Sequence, residues 1–399
     1  MNEATLPSRR RMVGVVGLGQ LLGWASSYYL IAIIAQPMAV GLGLPTLWVY
    51  AAFSAALLIA AALGPYAGGL VDRHGGRWVL LVSNGLFALA LTLLATAQGP
   101  LMMIAGWLML GVAMPMGLYD VAFATLVRLY HTQARRSIVG VTLIAGFASS
   151  VSWPLTALLE SHYGWRAACA SWALLHLSFG AGIHYFGIPR AVPKPWHPKF
   201  ETADTTEATS GVSNTTLWIL AAAFTANGFI FSAMAAHLPR VLQAVGCTAA
   251  AAVAAASLIG IFQVGARVAE AGVLHKLHPL ISGRVAAALH PLGALLLIVF
   301  GAPAAVVFTA LHGAGIGLMT IVKGTLPLAL FGPAGFGRRS GLLEAPSRVA
   351  QAITPLLFGY WLDVHGAQVL WISCGVGLAG LTCLLIVRRR HATRNKKAD

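Results

Sequence analysis

Residues Pro65–Leu80 read PYAGGLVDRHGGRWVL. The stretch gathers Asp72, Arg73, His74 and Arg77 among glycines at 68, 69, 75 and 76, in a chain where only 9% of residues are charged. Long apolar runs flank it, such as Val79–Ala97 downstream. Soluble proteins carry roughly a quarter of charged residues. A chain of 399 residues, 58% hydrophobic and with a mean hydropathy of +0.78, has too little charge to coat a water-facing surface. The polar stretch therefore reads as a short connection between membrane spans.

Hydrocarbon about 30 Å thick takes roughly 20 apolar residues as helix, and lipid leaves unpaired backbone no partner. The continuous apolar runs fit helices rather than the short alternating strands of a barrel. Twelve spans are predicted, near 12–36, 46–68, 78–97, 101–128, 138–160, 167–187, 216–239, 249–273, 284–301, 304–330, 341–362 and 367–387. The fold class is an all-α polytopic membrane protein. Residues 189–215, polar and poor in aromatics, read as a linker between a six-helix half at 1–188 and another at 216–399.

The net charge of +15 would suggest nucleic acid in a soluble protein, but its placement says otherwise. With a cytoplasmic N-terminus, 21 of the 26 Lys and Arg fall in inside segments; outside stand only Arg166 and Arg240. The basic charge is a topology signal: both termini are expected in the cytoplasm of a cytoplasmic-membrane protein, with lipid rather than nucleic acid as partner. The run after Arg9–Arg11 is too long for a cleaved signal and reads as an uncleaved first span. Cys169, Cys247, Cys374 and Cys383 have no metal or redox spacing, and no His motif suggests a metal. With no phosphate-binding loop either, no cofactor is expected.

The chain is written twice. Ala134-Arg135-Arg136-Ser137 recurs as Gly337-Arg338-Arg339-Ser340, and Trp153-Pro154-Leu155 as Thr354-Pro355-Leu356, at an offset near 202. Two similar bundles about a central axis can rock around a midplane site, which suits a transporter.

At Gly68-Gly69-Leu70-Val71-Asp72-Arg73-His74-Gly75-Gly76-Arg77 the chain resembles the major facilitator superfamily, whose loop signature is G-x-L-a-D-r-x-G-r-r; Gly76 replaces one basic position. The resemblance implies alternating access, a functional monomer, and a cytoplasmic gate at Gly68, Asp72, Arg73, Gly75 and Arg77. The fourth span lacks the Arg of many proton-driven drug exporters, and the fifth lacks their G-x-x-x-G-P-x-x-G-G. Gln263-Val264-Gly265-Ala266-Arg267 is similar to the D-x-x-x-R of monocarboxylate and oxalate-type carriers of this superfamily, with Gln263 in place of the acid.

Ionisable residues inside spans are functional candidates by default. Asp120 and Lys323 stand 203 residues apart, at equivalent places in the two halves, so a cross-bundle pair is conceivable. Glu344 and Arg348 have the i,i+4 spacing of a local pair. Two assignments compete. In one, Arg267 and Lys323 bind an anionic substrate while Asp120 takes up a coupling proton; in the other, the charges form an inner gate with Asp72, to which Glu344 and Arg348 belong. Trp24, Tyr28, Tyr29 and Asn227, with Gln20 and Thr225, are candidates to complete a cavity. The expected function is proton-coupled transport of a small carboxylate-like anion; the alternative is efflux of drugs or amphipathic metabolites. No nucleophile–base or metal constellation points to an enzyme.

Overall fold

The computed structural model describes residues 8–130, 133–190, 214–272, 278–331 and 336–387. No strand occurs among the described residues. The helices are α1 (Arg9–Ala25), α2 (Ile31–Leu42), α3 (Thr46–His74), α4 (Gly76–Ala95), α5 (Pro100–Gly117), α6 (Tyr119–Tyr130), α7 (Ala134–Ala145), α8 (Ala148–Leu175) and α9 (Ala181–Gly187). The second part holds α10 (Asn214–Ala244), α11 (Ala249–Ser257), α12 (Ile259–Gly272), α13 (Pro279–Phe300), α14 (Ala305–Phe331), α15 (Phe336–His365) and α16 (Val369–Ile386).

Among the described residues, nine segments are long and apolar enough to cross a membrane. The twelve spans read from the sequence are reached only by counting further. Arg136–Gly187 (52 residues) and Leu343–Ile386 (44 residues) are each long enough for two crossings, with breaks at Gly164 and Gly366. The shorter α1 and α2 then count as one. The linker at 189–215 lies outside the described residues, save its first two and last two.

The opening stretch is less of a loop than expected. Helix α3 runs on through Gly68 and Arg73 to His74, and only Gly75 turns, at φ 78°, a conformation that glycine adopts without strain. The side chain of Asp72 lies outside the described residues.

Several helices break near mid-depth. Ser26 and Ser27 turn their hydroxyls back onto the carbonyls of Leu22 and Gly23, at 2.8 and 2.6 Å, where α1 gives way to α2. Leu118 is extended between α5 and α6, Gly146 and Phe147 separate α7 from α8, and Leu258 separates α11 from α12. Pro355 cannot donate to the carbonyl of Gln351, four residues before it. Ser232 Oγ donates to that carbonyl instead, at 2.6 Å.

Burial divides the molecule into three cores. One face carries the basic segments; the opposite face carries the turns at Gly43, Gly164, Gly246, Gly301 and Gly366. Towards the opposite face, both parts of the chain share one core, from Tyr28, Tyr50 and Phe53 to Met234, Leu238 and Phe358. Towards the basic face the apolar residues split, with Met12, Val71, Leu126 and Val141 in one core and Phe224, Leu280, Leu326 and Leu384 in another. The two parts share a core on one side and have separate cores on the other, so the gap between them lies on the basic side of the shared core. Beyond that core, on the opposite face, a groove between Gln36, Pro154, Ser161 and Arg240 also runs between the parts.

Candidate functional site

The gap ends in a chamber of about 150 Å³. Trp24 reaches it from the end of α1, Tyr29 from the turn between α1 and α2, and Tyr119 from the first turn of α6. From the other part come Asn227 and Phe231 of α10, Gln263 and Arg267 of α12, Thr320 and Lys323 of α14, and Gln351 of α15. A second, wider space of about 270 Å³ shares Trp24, Tyr119, Lys323 and Gln351 with it and continues past Asp120, Glu344 and Arg348.

Arg267 is 5% exposed. Its Nη1 donates to the Thr142 carbonyl at 2.5 Å, across the gap, and its Nη2 to Thr320 Oγ1 at 3.2 Å, while Nε is buried without an acceptor. The Thr142 carbonyl, in the last turn of α7, also accepts from the Gly146 N–H at 3.0 Å, so Arg267 takes its second lone pair. No carboxylate lies within salt-bridge distance of Arg267 among the described residues. Glu270, one turn on, is turned to Ser282 Oγ, which donates to its two carboxylate oxygens at 3.1 and 3.2 Å.

The other cations are compensated. Lys323 Nζ lies 3.0 Å from Glu344 Oε2, and Arg348 Nη2 3.6 Å from Asp120 Oδ1. The i,i+4 pair expected between Glu344 and Arg348 is therefore replaced by two longer-range pairs, and Asp120 and Lys323 do not pair with each other. Asp120 sits in the first turn of α6, where the helix dipole favours a carboxylate. The Asp120–Arg348 pair bridges the gap, each side chain nearly half exposed, so it is a weak tie. Gly64 leaves it room: a Cβ there would lie 3.1 Å from Arg348 Nη1.

The Lys323–Glu344 pair is mostly buried, at 23% and 28% exposure. Lys323→Met and Glu344→Gln, alone and combined, should show a coupling of about 1 kcal/mol in thermal unfolding. A double variant whose losses simply add would mean that the pair contributes nothing.

The remaining candidates separate. Tyr28 touches the wider space, and its hydroxyl meets Ser232 Oγ at 3.4 Å across the gap. Gln20 is spent inside its own half, Nε2 donating to the Gly117 carbonyl at 2.7 Å. Thr225 lines a different depression, with Trp218 and Val376. Arg77 is buried with its guanidinium over the Tyr185 ring at 4.3 Å, so it packs within its own half rather than across the gap. Arg73 is exposed. A Cβ on Gly68 would meet nothing within 4 Å, so no close approach explains that glycine; Gly76 is the tight position, where a Cβ would overlap the Thr125 side chain.

Sequence reading missed Tyr119, Phe231, Thr320 and Gln351. A signal was present: Asn227 and Phe231, Gln263 and Arg267, and Ile316, Thr320 and Lys323 keep the i, i+4, i+7 spacing of one helix face. It also missed the seal on the opposite face. There Arg240 joins Asp363 Oδ1 at 2.6 Å and donates to the Tyr50 hydroxyl at 3.4 Å, and Tyr50 lies 4.3 Å from the His237 ring.

The fold has counterparts among solved structures. A crystal structure of the nucleoside transporter NupG superposes at a TM-score of 0.72 with 13% identity, covering 94% of this chain and 98% of that one. A mutant of NupG superposes at 0.75 with 14% identity, covering 95% and 99%. The human organic anion transporter MFSD10 (TETRAN) follows at 0.65 with 19% identity, covering 95% and 100%. At such identities the likeness establishes the fold. No curated protein matches at the level of sequence. The family model of the Major Facilitator Superfamily matches residues 16–321, well over half of the chain. With the helical breaks, the midplane chamber and the fold in agreement, this chain belongs to the major facilitator superfamily of membrane transporters.

Proposed function

We propose that the chain is a secondary active carrier of a small carboxylate-like anion, coupled to protons and working by alternating access. In this reading its termini and basic face lie in the cytoplasm of a cytoplasmic membrane, and it functions as a monomer of two six-helix halves, 1–188 and 216–399. The structure then represents the inward-facing state, closed outside by the shared core. The structural neighbours carry different classes of substrate, so the fold does not choose among them. Arg267 supports the choice of an anion: a buried guanidinium lining the chamber, with no acid partner among the described residues. A buried cation is costly until paired, and a carboxylate matches the guanidinium fork. Trp24, Tyr29, Asn227 and Lys323 complete the binding surface in this reading. Arg73, Gly75, Glu344 and Arg348 belong to the inner gate in this reading.

Asp120 is assigned the coupling proton, because it lies at the mouth of the open space and its partner Arg348 stands on the other part of the chain, so the pair comes apart if the gap widens. Asp120→Asn should keep substrate binding and exchange but lose accumulation driven by a proton gradient. The test is uptake into proteoliposomes with and without an imposed gradient; normal gradient-driven accumulation by the variant removes Asp120 from coupling. Thermal stability of the purified protein against carboxylates, amines, sugars and lipophilic drugs tests the substrate class, since a ligand of the native state raises it. Stabilisation by lipophilic compounds alone would favour efflux.

A further inference from the structure

The two walls of the Arg267 chamber differ in chemistry. The N-terminal wall is aromatic, with Trp24, Tyr29 and Tyr119, and the Trp24 and Tyr119 rings are 5.1 Å apart at 47°. The C-terminal wall carries the charged and amide groups, Arg267, Asn227 and Gln263, with Phe231 and Ile316 beside them. A flat apolar ligand face is satisfied on one side, and a carboxylate with hydrogen-bonding neighbours on the other. The part around Arg267 holds about 150 Å³ and opens into the wider space of about 270 Å³ past Asp120. An engineered apolar cavity of the smaller volume admits one benzene ring, so one ring fills the part next to Arg267.

We infer that the substrate is a monocyclic aromatic carboxylate, its carboxylate forked onto Arg267 and its ring against Trp24 and Tyr119. This rests on the anion reading of the same site. It adds that each half of the carrier recognises a different part of the substrate. An acid without a flat ring engages the C-terminal half alone and gives the N-terminal half nothing to close on. Ring stacking of this kind corresponds to roughly tenfold in affinity.

The experiment compares benzoate, hydroxybenzoates, cyclohexanecarboxylate and butyrate on the full-length protein, by calorimetric affinity and by counterflow in proteoliposomes. Cyclohexanecarboxylate has nearly the size and charge of benzoate but no flat π face. Aromatic acids should bind about tenfold tighter than cyclohexanecarboxylate and exchange faster. That ratio should fall towards one in Trp24→Leu and in Tyr119→Leu, whatever happens to absolute affinity. Because each ratio is measured within one folded protein, a destabilised variant does not blur it. Equal binding of aromatic and aliphatic acids by the wild type, or a ratio unmoved by both variants, overturns the aromatic assignment and leaves the anion reading standing. Binding of no carboxylate at all overturns both.

Discussion

Arg267→Gln is expected to abolish carboxylate binding while the protein stays folded and inserted. Truncating one partner of a buried, hydrogen-bonded charge pair costs about 2–5 kcal/mol, or roughly thirtyfold to several thousandfold in affinity. The unliganded variant should show the opposite sign. In the empty protein the guanidinium meets the neutral groups of Thr142, Thr320 and Tyr119 and no carboxylate among the described residues, with Nε unsatisfied. Replacing an uncompensated buried cation by a neutral amide should therefore raise the melting temperature of the empty carrier. Arg267→Lys keeps the charge and loses the fork, so it should fall between the two. Thermal melts with and without carboxylate read both effects together. Carboxylate stabilisation that survives in Arg267→Gln would place the anion elsewhere.

Gly260→Val should stop transport by a different route. A Cβ at Gly260 would lie 2.5 Å from Ser150 Oγ, 2.6 Å from the Gly146 carbonyl oxygen and 3.2 Å from Phe147 Cα. Two of these neighbours are backbone atoms, so the break between α7 and α8 itself has to shift. The crossing is also pinned by Ser150 Oγ, which donates to the Ser257 carbonyl at 2.5 Å. Overpacking of a close-packed contact costs typically about 1–3 kcal/mol, and here it falls on the junction between the two halves. Transport should drop at least tenfold, with Gly260→Ala milder. Ser54→Cys offers a reporter in a background without the four native cysteines, because Ser54 Oγ accepts from the Leu356 N–H at 3.2 Å inside the outer seal. An impermeant thiol reagent should label it slowly in the parent and faster when Gly260→Val is added. Unchanged labelling together with normal transport would show that the crossing tolerates the wedge.

Much of the architecture was legible because lipid imposes long apolar runs. Arg267 was legible because an intramembrane charge stands out against them. The partners of the charges were not. Glu344 and Arg348 satisfy the helical spacing rule, yet each finds a better-placed opposite charge on another helix, Lys323 and Asp120. Local spacing predicts only local competition. What requires the glycines of the signature was not legible for a similar reason: Gly75 is fixed by its own φ, while the need for Gly76 lies in Thr125, 49 residues away. Tyr119 went unnoticed because its role follows from the extended Leu118, a break with no proline or glycine at the position itself.

The division into one shared core and two separate ones has an electrical consequence. A dry, close-packed core is an insulator, whereas a space open to solution stays near the potential of that solution. The membrane voltage should then fall mainly across the shared core, with Arg267 close to the potential of the basic face. Reversal of the carrier moves that residue to the other side of the voltage drop. With an anion bound and Asp120 unprotonated the moving charges balance; with the carrier empty, one positive charge moves, worth about 2.3 kcal/mol per 100 mV. Exchange of anion for anion without the proton should therefore be nearly indifferent to voltage, while the return of the empty carrier should follow it.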